Sequence, residues 1–351
     1  MLGVCCEITI KDKKGRIFMK KVATFGGQDI YSYTISNNSG MSLTALTYGA
    51  AITELNVPNN QGKSENVVIR YDDVSFYEEN PHYLGVIVGR TAGRTEDGVL
   101  NIGQETYQLE KNDGNNHLHG GKKGLAKSIW DVTQEDGTLT FTYISPDGED
   151  GYPGEVQFKV SYHLSDQNQL IIHYWAKPNK RTPINLTNHS YFNLTGDKKR
   201  DVLGHRLKIN SSTFYELNAE SIPLSKKLAD EKPVFDFRHS KTLSEVVSND
   251  YEQIKIVGGG IDHPFLLDDS QQEKIVLSDP TSGRSLGVKT DDPAVVIYSG
   301  NQIKEQPALN GGTAEKYDGI CIETQMPPNE TESYLVDAGA IYQKQTIFSF
   351  Y

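Results

Sequence analysis

Short runs of β-branched and aromatic residues recur along the whole chain, and this recurrence constrains the fold more than any other feature. Six of the runs are residues 31–35, 66–70, 138–143, 156–160, 170–175 and 346–350. Such residues favour the pleated, half-buried surface of a β-sheet. Asp-Gly pairs, which suit tight turns, begin at Asp97, Asp113, Asp136, Asp147, Asp150 and Asp318. The pattern predicts an all-β chain built from antiparallel hairpins.

Helical signals are few, and no linker or repeat divides the chain. Residues 72–79 and 242–248 are each expected to form about two turns. A two-sheet sandwich enlarged by extra hairpins accommodates all 351 residues. We therefore expect a single domain over residues 1–351, a large antiparallel β-sandwich with few short helices.

The charge balance excludes several classes of partner. Lys and Arg number 35 against 46 Asp and Glu, a net charge of −11. Binding to nucleic acid or to an anionic membrane calls for a basic surface. No apolar run approaches the roughly 18 to 20 residues of a membrane helix. We expect neither nucleic acid nor membrane as a partner. The sequence shows no recognisable subunit interface, so it predicts no oligomeric state.

The cysteine content favours a reducing compartment. Three cysteines, Cys5, Cys6 and Cys321, are too few and too unevenly placed for a disulfide framework. The first 14 residues lack the apolar core of a signal peptide. We expect a cytoplasmic protein.

Two arginines flank a small-residue segment at residues 89–94. Arg90 and Arg94 lie four residues apart beside glycines, after an apolar run. An arginine in this setting can bind a ligand oxygen with a charge-assisted hydrogen bond, or it can satisfy loop carbonyls. The spacing does not match a phosphate-binding P-loop.

Two histidines follow, spaced by one residue. In an extended strand His117 and His119 would share a face. That arrangement suits metal binding or acid–base chemistry, and equally one packed and one surface histidine. The next two residues, Gly120 and Gly121, would permit a close approach of ligand.

Polar residues alternate with apolar ones at residues 185–194. His189 and Tyr191 fall on one face of the predicted strand, with leucine and phenylalanine on the other. This face is either a polar site or a hydrogen-bonded lining without chemistry.

A carboxylate interrupts the apolar run at residues 320–325. Burial would raise the pKa of Glu323 unless it is partnered, which makes it a candidate general base or a member of a structural ion pair. Asp262 follows a Gly-Gly pair in a similar setting.

Taken together, these segments resemble the aldose 1-epimerase (galactose mutarotase) family. The matching stretches, in the family's order, are residues 89–94 (Gly-Arg-x-x-x-Arg), 118–121 (Leu-His-Gly-Gly), 145–154 (ending Gly-Tyr-Pro-Gly), 183–194 (containing Asn-Leu-Thr-Asn-His-Ser-Tyr-Phe-Asn-Leu), 261–263, 298–301 and 323–325 (Glu-Thr-Gln). Seven segments in order form a specific signature.

The resemblance implies a fold and a reaction. The fold would be the galactose mutarotase-like supersandwich with an open sugar-binding cleft. The reaction would interconvert the α and β anomers of a free hexose such as galactose or glucose, without cofactor or metal. Carried over by position, Glu323 would be the general base and His189 the general acid. Arg94, His119 and Asp262 would bind the monosaccharide substrate.

Sugar binding also favours an aromatic platform, for which Tyr191, Phe265 and Tyr152 are candidates. Three other functions remain open at this point. They are a hexose-6-phosphate 1-epimerase, which needs cationic groups for the phosphate, a non-catalytic sugar-binding module, and a metal enzyme with His117, His119 and Glu323 as ligands.

Overall fold

The computed structural model describes residues 9–11, 17–268, 273–304 and 309–351. Its strands, in chain order, are β1 (Thr9–Lys11), β2 (Ile17–Phe25), β3 (Gln28–Ser36), β4 (Ser42–Leu46), β5 (Ile52–Pro58), β6 (Ser64–Asn66), β7 (Ile87–Val88), β8 (Arg94–Thr95), β9 (Val99–Ile102), β10 (Glu105–Gln108), β11 (His117–Leu118), β12 (Asp131–Glu135), β13 (Thr138–Ser145), β14 (Val156–Ser165), β15 (Gln169–Pro178), β16 (Thr182–Pro183), β17 (Thr187–Asn188), β18 (Tyr191–Phe192), β19 (Arg206–Ile209), β20 (Thr213–Leu217), β21 (Pro223–Leu228), β22 (Lys241–Thr242), β23 (Asp262–Leu266), β24 (Ile275–Ser278), β25 (Ser285–Thr290), β26 (Ala294–Tyr298), β27 (Ile320–Gln325), β28 (Leu335–Val336) and β29 (Tyr342–Phe350).

Helical segments are short throughout the described residues. The α-helices are α1 (Leu243–Val247) and α2 (Glu252–Ile256). Single 3₁₀ turns lie at Val74–Tyr77, Glu96–Gly98, Leu125–Lys127, Glu149–Gly151, Ala229–Glu231, Pro233–Phe235 and Thr331–Tyr334. Each α-helix has five residues, against the roughly 20 needed to cross a bilayer, and no described helix is a candidate membrane span.

Three large antiparallel sheets carry most of the strands. The first has the order β1-β2-β3-β4-β5-β6. The second has nine strands in the order β12-β13-β14-β15-β29-β25-β24-β19-β22. The third, here called the site sheet, has the order β18-β27-β26-β23-β20-β21. Two-stranded pairs β8/β11 and β7/β17 contribute loops around one face of the site sheet.

The opposite face of the site sheet packs on the nine-stranded sheet. Phe192 of β18 contacts Phe348 of β29, with ring centroids 5.3 Å apart. Thr324 of β27 hydrogen-bonds Thr346 of β29, with 2.7 Å between the hydroxyl oxygens. These contacts make a sandwich, and the prediction of a large antiparallel all-β fold with few short helices is confirmed.

Five of the six predicted strand runs lie within strands. The exception is residues 66–70, because β6 ends at Asn66. The Asn66 side chain donates to the carbonyl of Val68 and accepts from its N–H, at 2.8 and 3.2 Å. This local turn competes with the ladder and ends the strand.

One of the two predicted helices forms. Residues 242–248 contain α1, whose first turn is capped by Glu245 accepting from the Thr242 N–H at 3.2 Å. In residues 72–79 only the 3₁₀ turn Val74–Tyr77 forms. Helix α2 was not predicted, because its five residues are too few for a period to be legible.

Candidate active site

Strand β27 divides its side chains between core and cavity. Ile320, Ile322 and Thr324 point to the core, whereas Glu323 and Gln325 line a cavity on the other face. Alternation along a strand explains this division, since successive side chains point to opposite faces. The apolar residues bury the sheet and leave the carboxylate on the face that the loops cover.

Strand register extends the cavity face across the sheet. Val296 of β26 lies opposite Glu323, and Tyr298 lies opposite both Cys321 and Asp262. Paired residues of antiparallel strands project to the same face. Asp262 and Glu323 therefore reach the same cavity from strands that are separated by one strand.

The cavity opens to solvent, and its empty space together with that of its mouth is about 740 Å³. It is lined by Pro81, His82, Tyr83, Gly93, Arg94, Leu118, His119, His189, Tyr191, Leu217, Ser221, Pro223, Asp262, Pro264, Val296, Tyr298, Gln302, Glu323, Gln325 and Pro328. All five residues predicted for the site, Arg94, His119, His189, Asp262 and Glu323, are among them.

His189 lies between β17 and β18, directly across from Glu323. Its backbone is fixed by hydrogen bonds to Val86 and Gly85, at 2.9 and 3.0 Å. Its Nε2 is 3.6 Å from Oε1 of Glu323, and its Nδ1 is 3.5 Å from Sγ of Cys321. The side chains of His189 and Glu323 are 5% and 4% exposed, so the pair is almost dry.

Burial opposes charge on both members of this pair. It raises the pKa of Glu323 well above its usual value, and the nearby Asp262 carboxylate adds to the effect while Arg94 opposes it. Burial also lowers the pKa of His189 to about 4. The empty cavity therefore favours a carboxyl and a neutral imidazole, two groups between which a proton is readily exchanged.

His119 presents a fixed hydrogen-bond donor. Its Nδ1 accepts the N–H of Gly93 at 3.2 Å, so the proton of the neutral ring is on Nε2. Burial, together with the charges of His189 and Arg94, holds the pKa of His119 well below its usual range. The ring stands perpendicular to that of His189, with centroids 5.3 Å apart.

Arg94 lies between two carboxylates at the rim of the cavity. Its Nε donates to Oδ2 of Asp113 at 2.7 Å, and its Nη1 is 4.0 Å from Oδ2 of Asp262. Burial raises the pKa of Asp262 to about 6, with Arg94 acting in the opposite direction. The loosely held Asp262 carboxylate and the free guanidinium N–H groups suit sugar hydroxyls.

The two arginines of residues 89–94 have different roles. Arg94 lines the cavity, but Arg90 is 2% exposed and bonds Ser145 and the carbonyls of Pro146 and Pro153. Both interpretations offered for this segment are therefore realised, one by each arginine.

The two histidines do not share a face. His117 ends in the interior, where its Nε2 bonds the Tyr152 hydroxyl at 2.7 Å and its Nδ1 contacts the Glu110 carbonyl at 2.6 Å. His119 has a φ of 52°, so the extended geometry ends before it and its ring turns into the cavity. The ligand set His117, His119 and Glu323 is therefore wrong.

A different trio of possible metal ligands lies in the cavity. One ligand atom each from His119, His189 and Glu323 lies within 4.8 Å of the others. Nδ1 of His119, however, accepts a hydrogen bond from the N–H of Gly93, so the proton of the neutral ring is on Nε2. A metal at Nε2 would have to displace that proton and break the bond to Gly93, so this trio fits a metal poorly.

Gly120 and Gly121 serve the fold rather than the ligand. Neither lines the cavity. A Cβ on Gly120 would fall 1.8 Å from the carbonyl oxygen of Gly89, and one on Gly121 would fall 2.5 Å from the Asp150 carboxylate. Gly120 permits the close approach of the Gly89 backbone, and Gly121 permits that of the Asp150 side chain, which corrects the expectation of a close approach by ligand.

Of the three aromatic platform candidates only Tyr191 lines the cavity. Phe265 points to the core, since it alternates with Pro264 on β23, and Tyr152 packs against His117. The other tyrosines of the lining are Tyr83 and Tyr298.

Sequence reasoning missed several lining residues. Tyr298 and Gln325 belong to segments that carry the family resemblance, so the signal for them was present. Tyr83 and His82 precede the segment at residues 89–94 without any motif of their own. Only the loop that folds back over the site sheet reveals them.

Comparison with known proteins places this geometry in a family. The sequence model described as aldose 1-epimerase matches residues 31–349. The chain belongs to the aldose 1-epimerase family. Galactose mutarotase of Bos taurus is 32% identical over 340 residues, which cover 93% of this chain and 97% of that protein. Aldose 1-epimerase of Haemophilus influenzae is 33% identical over 347 residues, covering 95% and 100% respectively.

A solved structure agrees with the family assignment. Galactose 1-epimerase from Lactobacillus acidophilus superposes with a TM-score of 0.85 at 29% identity, covering 95% of this chain and 98% of that one. The chain is thus an aldose 1-epimerase family member along almost its whole length.

Proposed function

We propose that the protein interconverts the α and β anomers of a free aldohexose such as galactose or glucose. The observation that carries the proposal is the pair of His189 and Glu323, buried and 3.6 Å apart in the cavity of an aldose 1-epimerase family member. Mutarotation needs two proton transfers at one hemiacetal, and one imidazole and one carboxylate supply them.

Glu323 and His189 act as base and acid in turn. The Glu323 carboxylate removes the proton of the C1 hydroxyl. The electron pair of that hydroxyl's O–H bond then forms the C1=O bond. The C1–O5 bond breaks, and O5 takes the Nε2 proton of the His189 imidazolium. Rotation about C1–C2 presents the other face of the aldehyde. On closure O5–H returns its proton to Nε2 while the carbonyl oxygen takes the proton from Glu323.

Burial assists the opening step. The pair carries opposite charges before the ring opens and is uncharged while the sugar is an open-chain aldehyde. Because burial raises the pKa of Glu323 and lowers that of His189, the dry cavity favours the uncharged pair. This lowers the energy of the open-chain state relative to the closed ring.

Three further residues bind the sugar in this proposal. The Nε2–H of His119 donates to the ring oxygen or to a hydroxyl, and Arg94 donates beside it. The Asp262 carboxylate accepts from sugar hydroxyls. Tyr191 or a neighbouring tyrosine of the lining packs against the C–H face of the ring.

A phosphorylated substrate fits the cavity less well. Among the lining residues Arg94 is the one arginine, no lysine is present, and Arg94 is already paired with Asp113. The Asp262 carboxylate would repel a phosphate. A non-catalytic sugar-binding module would not need the acid–base pair.

Polarimetry of freshly dissolved α-D-galactose tests the proposal. We expect the wild-type protein to accelerate the decay of optical rotation, and Glu323→Gln and His189→Asn each to lose about 10²-fold or more of kcat. Glu110→Gln, an exposed Glu paired with Lys122, is the matched control and should retain activity. Wild-type acceleration that survives Glu323→Gln would discard Glu323 as the base. Acceleration on glucose 6-phosphate but on neither free hexose would overturn the substrate class.

We also propose a cytoplasmic location, because three cysteines in 351 residues do not suggest a disulfide framework and Cys321 is buried and unpaired. The partner in this proposal is a monosaccharide, and the net charge of −11 disfavours nucleic acid.

A further inference from the structure

Cys321 is buried against the histidine of the proposed acid–base pair. It sits on β27 two residues before Glu323, opposite Tyr298 in one direction and Tyr191 in the other. Its Sγ is 3.5 Å from Nδ1 of His189, within the range of a hydrogen bond to sulfur. The cavity lining does not include it, so it does not touch a sugar directly.

We propose that Cys321 is a positioning residue whose sulfur accepts the Nδ1–H of His189 and thereby keeps Nε2 as the nitrogen that exchanges the proton. The assignment follows from what the proposed reaction requires. Nε2 faces Glu323 and must both give and take a proton, so Nδ1 must keep its own proton throughout. A hydrogen-bond acceptor beside Nδ1 enforces this. In the catalytic triads of other enzymes, a carboxylate accepts from Nδ1–H of the histidine in the same way.

The surroundings of the thiol give the hydrogen bonds a consistent direction. The Tyr191 hydroxyl donates to the His82 carbonyl at 2.8 Å, which leaves its oxygen lone pairs free to accept from the thiol. The thiol proton can therefore go to Tyr191 while the sulfur lone pair accepts from His189.

The two cavity histidines thus have opposite tautomers. An N–H donor, that of Gly93, stands behind His119 and leaves its proton on Nε2. An acceptor, Sγ of Cys321, stands behind His189 and leaves its proton on Nδ1. His119 can then only donate through Nε2, whereas His189 alternates between base and acid. The group that contacts Nδ1 of each ring therefore determines which role that histidine has.

The catalytic role inferred for Cys321 rests on the proposed function. The tautomers of His189 and His119 do not, because they are measured without substrate. In ¹⁵N NMR of the wild-type protein we expect His189 to show a pyrrole-type Nδ1 and a pyridine-type Nε2, and His119 the reverse. A pyridine-type Nδ1 on His189 would overturn the inference whatever the protein's activity.

Two substitutions at Cys321 test the consequence. Cys321→Ala removes the acceptor, and we expect kcat on galactose to fall about tenfold at unchanged KM, with the His189 tautomers becoming mixed. Cys321→Ser keeps an acceptor and should retain the Nδ1–H tautomer and most of kcat. Ile322→Val, a buried change on the core face of the same strand, is the control for packing and should alter neither readout.

The outcomes are distinguishable. Wild-type kcat and tautomer in Cys321→Ala would show that the sulfur positions nothing. Equal losses in Cys321→Ala and Ile322→Val would assign the effect to packing. A wild-type protein without mutarotase activity, but with the expected tautomers, would retain the hydrogen-bond assignment and discard the proposed function.

Discussion

At the scale of the residue, the environment sets the behaviour of each titratable group. Glu323 and Glu65 are both 3% exposed, yet their pKa values shift in opposite directions. Three cations, those of Lys199, Lys63 and Arg284, lower the pKa of Glu65 to about 2 against the effect of burial. At Glu323 the Arg94 cation opposes the effect of burial but does not offset it, so the pKa is raised. The first is a structural ion-pair member, and the second is a candidate base.

The raised pKa of Glu323 predicts the alkaline limb of the pH profile. The mechanism needs one proton on the pair of Glu323 and His189, so activity should fall as the pH rises through the raised pKa, where the pair loses that proton, at a pH above the ordinary 4.5 of a glutamate. The kcat/KM for galactose, measured by polarimetry from about pH 4 to about pH 9, checks this. Asp262→Asn removes a negative neighbour and should move the limb to lower pH, whatever it does to binding. An alkaline limb at or below pH 4.5 in the wild type would contradict the prediction.

At the scale of the element, loops over the site sheet depend on close backbone contacts. Residues 119–124 pass so near Gly89 that Gly120 has no room for a side chain, and Gly120 has a φ of +88°. This contact places His119, whose own φ is 52°, beside His189. The loop at residues 119–124 therefore holds the site residue His119 in place.

Gly120→Ala should therefore damage both fold and site. The added Cβ would lie 1.8 Å from a backbone oxygen, so the loop must shift. We expect about 1–3 kcal/mol of lost unfolding free energy and a loss of mutarotase activity of at least about tenfold, from urea unfolding and polarimetry. Gly103→Ala is the matched control, since Gly103 has a φ of +61° but nothing within 4 Å. It carries the backbone strain without the clash and should keep its activity, and equal effects of the two variants would contradict the argument.

At the scale of the whole molecule, polar links tie the sheets together. Arg284, just before β25 of the nine-stranded sheet, bonds Glu65 of β6 at 2.8 Å, and both side chains are 3% or less exposed. A cluster of buried apolar residues extends from Ile35 to Phe350 and includes all three large sheets. The single domain over residues 1–351 stays a prediction, which this continuous cluster favours.

Glu65→Gln should destabilise the whole molecule. It leaves the buried Arg284 without its counter-ion, for which we expect a loss of about 3–5 kcal/mol in urea unfolding at neutral pH. Because the pKa of Glu65 is lowered to about 2, its contribution in the wild type is present above pH 4.5 and is lost as the pH falls toward 2. Glu110→Gln, which removes an exposed ion pair that solvent screens, should leave the urea midpoint nearly unchanged. Similar losses in the two variants would argue against the buried link.

Much of the fold and of the candidate site was predictable because short-range periodicity carries it. Alternation placed Glu323 and Ile322 on opposite faces of one strand, and turn residues marked the hairpins. Where side chains compete with the backbone, as at Asn66, the strand prediction failed. For the site, the ordered motifs named five residues that all line one cavity.

The sequence by itself determined the class of fold, the family and the residue types available for acid–base chemistry. Only the tertiary structure decided between near-equivalent residues: Arg94 over Arg90, His119 apart from His117, and Tyr83 and Tyr298 beside Tyr191. The physical reason is that periodicity assigns a side chain to a face, while strand register and loop packing decide what that face meets. The 3.6 Å between His189 and Glu323, and the sulfur behind the imidazole, exist only once distant strands pair.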